Sequence, residues 1–187
     1  MARTKEFDPD TVADRAMELF WRQGFESTST TDLMEAMKIG KRSLYDTFGN
    51  KRDLYVRSLR SYVSRAETAH EAELAVDGDA RSRLYGLLRA GVALPGRVPP
   101  VGCFAVNAST ELASSDSEIR ACVHRYFEAS EAHIATILRS GTNRNAVAVA
   151  ELSSVIHAAW VGLRAQAASG MPDDDQDRLA RRIAGLA

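Results

Sequence analysis

The stretch STSTTDLMEAMKIGKRSLYDTFGNKRDLY, residues 27–55, decides how the rest of this 187-residue chain is read. It divides into two short helices, a tight turn between them, and the opening of a further, longer helix. Ser29 or Thr30 can start the first, its hydroxyl accepting a first-turn N–H, and Asp32 stands near the position that completes a capping box. Leu33 and Met37 are its inward residues. The turn Lys38-Ile39-Gly40 leads into the second short helix, which Gly49 ends. Leu44 and Phe48 are four apart, share one face, and can pack on Leu33, Met37 and Ile39. Burying that pair directs Lys41, Arg42, Ser43, Tyr45 and Thr47 outward.

A short helix with an apolar seam inside and hydrogen-bonding side chains outside suits the wide groove of duplex DNA. Lys41 or Arg42 can donate to guanine edges, and Ser43 or Thr47 can reach bases or a thymine methyl. The Tyr45 hydroxyl suits a phosphate oxygen. Asn50 caps the longer helix, where Lys51 joins an ammonium to the positive end of a helix dipole. Ser29, Thr30 and Thr31, at another helix start, offer hydroxyls and unpaired N–H groups to a phosphate backbone. The plain alternative is a structural helical hairpin with solvated charges.

Net charge is −1, which argues against bulk electrostatic attachment to nucleic acid. It conceals an asymmetry. From Lys38 to Arg60 seven basic residues (Lys38, Lys41, Arg42, Lys51, Arg52, Arg57, Arg60) face two acidic ones, Asp46 and Asp53.

This window resembles the TetR family of bacterial transcriptional regulators. The residues that carry the resemblance are Gly24-Phe25, the Ser29-Thr30 pair, Ser43-Leu44-Tyr45, Phe48 and Lys51. Two positions depart from the usual pattern: Lys38 stands where the turn usually has glycine, and Gly40 where a serine-type cap is usual. A lysine in a left-handed conformation costs about 1 kcal/mol. Neither departure removes a DNA-facing group.

Outward from the window, every long segment has helical periodicity and none alternates as a strand does. Asp8 can cap a first helix with Pro9 in its first position, and Val12, Ala16, Leu19 and Phe20 share a face. Gly24 ends that helix and lets Phe25 fold back onto Phe20. Downstream, Tyr55, Leu59, Tyr62 and Ala66 stripe the long helix. A fifth helix is expected from the Asp77-Gly78-Asp79 break to about 94, and the segment 95–100, PGRVPP, cannot be helical. A sixth is expected over about 102–113, and a seventh behind a Ser115/Glu118 capping box, striped by Ile119, Val123, Phe127, Ile134 and Leu138. After a loop over 141–145, an eighth, about 146–169, is apolar over much of its circumference; a short last helix carries Leu179 and Ile183. The expected fold is all-α, about nine helices: a helix-turn-helix DNA-binding domain (1–52) joined by a long helix to a helical effector-binding and dimerisation domain (53–187).

One such reading module makes few contacts, and pairing two copies on a two-fold site, about 34–36 Å apart, remedies this. The eighth helix, with Ala158, Ala165 and Ala168 among its large apolar residues, is the natural homodimer surface; a monomeric core helix is the alternative. The resemblance implies a four-helix dimer bundle from the last two long helices. It also implies a small-molecule effector bound within the body that shifts the spacing of two reading heads and releases a palindromic operator, most often as a repressor. Candidate effector contacts are Tyr85, Leu88, Cys103, Phe104, Asn107, Glu111, Tyr126, Phe127, His157 and Trp160, whose aromatic share points to an apolar or aromatic effector. Residues 102–138 also resemble a subgroup of the family, through GCFAVNASTELASSDSEIR, which is similar to its Gly-Cys, Asn, Glu-Leu, Asp-x-Glu string.

Cys103, near a helix N-terminus, is either an electrophile or oxidant sensor or plain core. Two cysteines make no disulfide framework, and His70, His124, His133 and His157 fit no metal-ligand spacing. No phosphate loop, nucleophile elbow or metal tetrad is present, so neither an enzyme nor a cofactor is expected. The polar start resembles no signal peptide, no stretch resembles a membrane span, and a soluble cytoplasmic protein is expected. A helix-turn-helix protein controlled without a ligand remains the second functional class.

Overall fold

Why the chain breaks where it does is visible at its helix ends. The computed structural model describes residues 7–74, 77–91, 102–141 and 145–187, which form α1 (Pro9–Gln23), α2 (Thr30–Met37), α3 (Lys41–Phe48), α4 (Lys51–Leu74), α5 (Ala80–Ala90), α6 (Phe104–Glu111), α7 (Ser117–Gly141), α8 (Ala146–Ala168) and α9 (Asp173–Ala184). Among the described residues there is no strand. The Asp8 carboxylate accepts from the N–H groups of Asp10 and Thr11. Ser29 and Asp32 form the reciprocal capping box of α2. Asn50 and Asp53 do the same for α4, at 3.0 and 3.2 Å. Gly24 takes a φ of +81°, and the Phe20 and Phe25 rings stack with centroids 6.2 Å apart.

The turn keeps its left-handed residue despite the missing glycine. Lys38 adopts φ 56°, ψ 42°, and the Ile39 N–H reaches back to the Met34 carbonyl at 3.2 Å, closing α2 as a glycine would. Its side chain is exposed, so only the backbone strain of about 1 kcal/mol is incurred.

Two cores divide the chain. The first joins α1–α4 to α6 and the front of α7, through Phe20, Leu33, Met37, Leu44, Tyr55, Phe104 and Tyr126. The second joins α5, the rear of α7, α8 and α9, through Leu84, Leu87, Ile134, Leu138, Trp160 and Ile183. α7 belongs to both and is the girder of the body.

Several expectations are corrected. The seventh helix is capped by Asp116, whose Oδ1 accepts from the N–H groups of Glu118 and Ile119, because Ser115 Oγ instead bonds back to the Leu112 carbonyl. Glu118 completes no box; it pairs with Arg52 and Arg60. α6 runs from Phe104 to Glu111, shorter than expected at both ends, and α5 ends at Ala90. The expected non-helical segment 95–100 and residues 142–144 of the expected loop lie outside the described residues. α8 is long and apolar enough to cross a membrane by length and composition, contrary to the sequence reading, yet it packs against α7 and α9.

Candidate nucleic-acid interface and interior cavity

The seam of α3 is buried as its spacing requires: Leu44 is fully enclosed and Phe48 nearly so, in one cluster with Leu33, Met37 and Ile39. Lys41, Arg42 and Tyr45 are exposed on the opposite side, with Ser43 and Thr47 half-buried at its margins. Arg42 is held only by a loose contact to Asp46, 3.4 Å away, both in water. Of the helix-start hydroxyls, Thr31 is exposed and Thr30 half-buried, while the Ser29 hydroxyl already accepts from the Asp32 N–H. Lys51 lies at the start of α4 with its ammonium 4.2 Å from the centre of the Phe25 ring. The aromatic face orients the cation without neutralising it.

The basic excess over 38–60 is smaller in three dimensions than in sequence. Arg52 is bound by Asp116 and Glu118, Arg57 by Asp10, and Arg60 by Glu118. Lys38, Lys41 and Lys51 have no ion-pair partner among the described residues. The unneutralised cations therefore gather on α3, its preceding turn and the α4 start.

The body holds a cavity of about 260 Å³ between α1, α4, α5, α7 and α8. Tyr126 is the one effector candidate that lines it. The others are occupied elsewhere. Tyr85 donates to Asp177 of α9, and the Leu88 carbonyl accepts from Trp160 Nε1 at 3.1 Å. Phe104 is wedged among Trp21, Tyr55 and Tyr62, and Phe127 packs edge-on to His157, whose burial depresses its pKa. Asn107 is half-buried in the first turn of α6. Glu111 Oε1 accepts the Glu26 N–H at 3.0 Å, which makes it a clasp between α6 and the loop after α1. Cys103 lies just outside the cavity wall, 3.2 Å from the Tyr62 hydroxyl and 3.5 Å from Arg164 Nη1.

Comparison with known proteins fits this arrangement. A family model described as bacterial regulatory proteins, tetR family, matches residues 12–57, the helices α1–α3 and the start of α4. A solved structure of a putative TetR transcriptional regulator from Rhodococcus sp. RHA1 is 33% identical, covering 96% of this chain and 98% of that one, with a TM-score of 0.59. The chain belongs to the TetR family. The TetR regulator CifR, solved as a cysteine mutant complexed with 26-bp double-strand operator DNA, is 27% identical over 98% of both chains, with a TM-score of 0.81. The HTH-type transcriptional regulator YezE of Bacillus subtilis is 36% identical over 129 residues, 68% of this chain. This chain spans 64% of that relative's length, and less than two thirds of the next curated relative as well.

In this TetR-family body the sequence reading misses Trp21, Tyr62, His70 and Arg164 as cavity-lining residues. Trp21 and Tyr62 lie on α1 and α4, helices assigned to the reading head and its support. One sign was available. Arg164 is one of two charged residues in the α8 segment AVAVAELSSVIHAAWVGLRAQAA, set a helical turn beyond Trp160. An ionised side chain on the inner stripe of so apolar a helix needs a reason.

Proposed function

We propose that this chain is a ligand-responsive transcriptional repressor that binds a palindromic operator as a homodimer and is released by a small-molecule effector, in a cytoplasmic setting. The observation that carries the reading is the charge distribution over 38–60: Arg52, Arg57 and Arg60 are tied to carboxylates, whereas Lys41 and Lys51 have no ion-pair partner among the described residues and Lys41, Arg42 and Tyr45 are exposed on α3. In this reading Arg42 and Ser43, with Lys41 and Thr47, meet base edges, while Tyr45, Lys51 and the Ser29–Thr31 helix start meet phosphates. Residues 1–52 act as the reading head and 53–187 as the effector-binding and dimerisation body. The operator complex of CifR supports docking of this kind.

The dimer is assigned to α7 and α8. Val147 and Val155 are 67% and 58% exposed in the single chain and share a stripe with Ala158 and Ala165, small enough for close helix approach. The 102–138 region is assigned to the Gly-Cys subgroup on its residues alone.

The test is a gel-shift titration on selected genomic fragments. Tyr45→Ala with Lys51→Ala should lower affinity about tenfold or more on every sequence, and Arg42→Ala or Ser43→Ala should change sequence preference. Full affinity of the double variant, or a strictly monomeric chain indifferent to every promoter, overturns the proposal.

A second reading has its own observation. The Cys103 thiol lies between the Arg164 guanidinium and the Tyr62 hydroxyl, and a cation beside the sulfur is the setting that reactive cysteines use. Here oxidants or electrophiles, rather than a reversible ligand, release the operator. Cys103→Ala that leaves such a response intact removes it.

A further inference from the structure

Arg164 is 2% exposed, and among the described residues its buried charge lacks the partner that buried charges normally have. One face of the guanidinium lies 3.5 Å from the centre of the Trp160 ring. Nη1 donates to the Tyr126 hydroxyl at 2.8 Å and to Cys103 Sγ at 3.5 Å. Nε, also buried, has no hydrogen-bond partner. Among the described residues no carboxylate pairs with this guanidinium; its electrostatic neighbours are Cys103, Tyr126 and Tyr62. Burial pushes both phenols well above their usual range, so neither supplies negative charge. Burial, reinforced by Arg164, also holds His70 neutral, with a pKa of about 3. The one other cation on the wall, Arg65, is already bound to Asp14.

The geometry around that cation is specific. Gly91 faces it, and a Cβ there would collide with both Trp160 and Arg164 Nη2. The remaining wall is mostly apolar, from Met17, Trp21, Ala66 and Ala69. A guanidinium without a carboxylate partner in the wall of a small, mostly apolar chamber suits a carboxylate with a hydrophobic body. A phosphate dianion needs more donors than this wall offers.

We infer that the cavity takes a small organic monoanion, a carboxylate on a single ring or short chain, with Arg164 as its anchor and Trp21, Tyr62 and Met17 enclosing its body. The inference rests on the ligand-responsive reading above and adds the chemical class of the ligand. At about 260 Å³ the chamber is at the small end for ligand sites, which favours a compact body over a large polycyclic one.

The experiment titrates the full chain with matched acid and amide pairs: benzoate and benzamide, phenylacetate and phenylacetamide, hexanoate and hexanamide. Binding is read by calorimetry and thermal shift, and operator affinity is read in the same samples. An acid of the set should bind at least about tenfold more tightly than its amide, as expected for charge-assisted hydrogen bonds. Arg164→Met, which keeps the stem and removes the charge, should abolish the acid–amide difference, and Arg164→Lys should keep part of it. The wild-type acid–amide comparison stands even if a variant fails to fold. Amides equal to acids, undiminished acid binding by folded Arg164→Met, or no acid bound at millimolar concentration overturns the inference. Amides that bind as tightly as their acids and release the operator would leave the ligand-responsive reading standing while the anion site falls. Acids that bind through Arg164 without moving operator affinity would do the reverse.

Discussion

Lys41 and Arg164 carry the same charge in opposite circumstances. Lys41, on the open face of α3, is solvated at no cost to the fold and without an ion-pair partner among the described residues; Arg164, in the body, has been stripped of water and given phenols, a thiol and an indole face instead of a carboxylate. An exposed cation is ordinary, and in the proposed docking its value lies in being one of several in one short stretch of the chain. A buried cation without an anion is costly, and its retention needs a compensating interaction. The first region advertises its function by pattern, the second by an unmet requirement.

The largest effect separating the two regions should come from the α3 seam. Leu44 is fully enclosed in the core that α3 shares with α1, α2 and α4, so Leu44→Ala should destabilise by about 2–5 kcal/mol and collapse operator affinity. Ligand binding at the cavity should survive wherever the variant is still folded, because Leu44 does not line it. Urea unfolding with parallel gel shifts measures both. A loss under about 0.5 kcal/mol would mean that α3 is not anchored by this seam.

A smaller effect is expected where head and body meet. Gly24 has φ +81°, and a Cβ on it would stand 3.0 Å from Glu111 Oε1, the oxygen that accepts the Glu26 N–H. Gly24→Ala should cost about 1–3 kcal/mol from backbone strain, and should also displace the clasp. Because α6 carries that clasp and begins beside Cys103, a ligand-induced shift in the body has a short route to the head. Gly24→Ala should therefore narrow the difference in operator affinity with and without ligand. Unchanged coupling in fluorescence-anisotropy titrations would route the signal elsewhere.

The head is legible in the sequence because its constraints are local. Caps, a four-residue seam and a turn lie within thirty residues, and spacing alone separates buried Leu44 and Phe48 from exposed Lys41 and Arg42. Even the lysine turn follows from one strained residue. The cavity is not legible, because its wall draws on five helices, and helix packing angles are not written in periodicity. Trp21 belongs by sequence to the head yet bonds the Gly102 carbonyl at 3.1 Å, and Glu111, a pocket candidate by sequence, serves the joint. The Asp116 cap escapes for a similar reason: a Ser-x-x-Glu spacing matches the motif, but Arg52, distant in sequence, claims Glu118.

That Arg52 cluster offers the smallest test, and it bears on the same joint. Arg52 Nε and Nη2 donate to the two Asp116 oxygens at 2.5 and 2.9 Å, holding the carboxyl at a pKa of about 2 instead of 3.8, with help from the Ile119 and Glu118 N–H groups. A carboxyl depressed on folding contributes stability that is complete above its unfolded value and is lost as pH falls through its folded one. The wild type should therefore lose stability between about pH 5 and pH 2, and Asp116→Asn should lose less over that interval because it has less to lose. Other capping carboxylates, Asp8, Asp32 and Asp79, are depressed too, so only the difference between the two proteins isolates Asp116. Arg52 is 42% exposed and water screens the pair, which keeps the expected difference below either effect above. Parallel acid slopes in urea midpoints would assign α7 capping to the Asp116 side-chain oxygen alone, and would remove the Arg52 pair from what holds head to body.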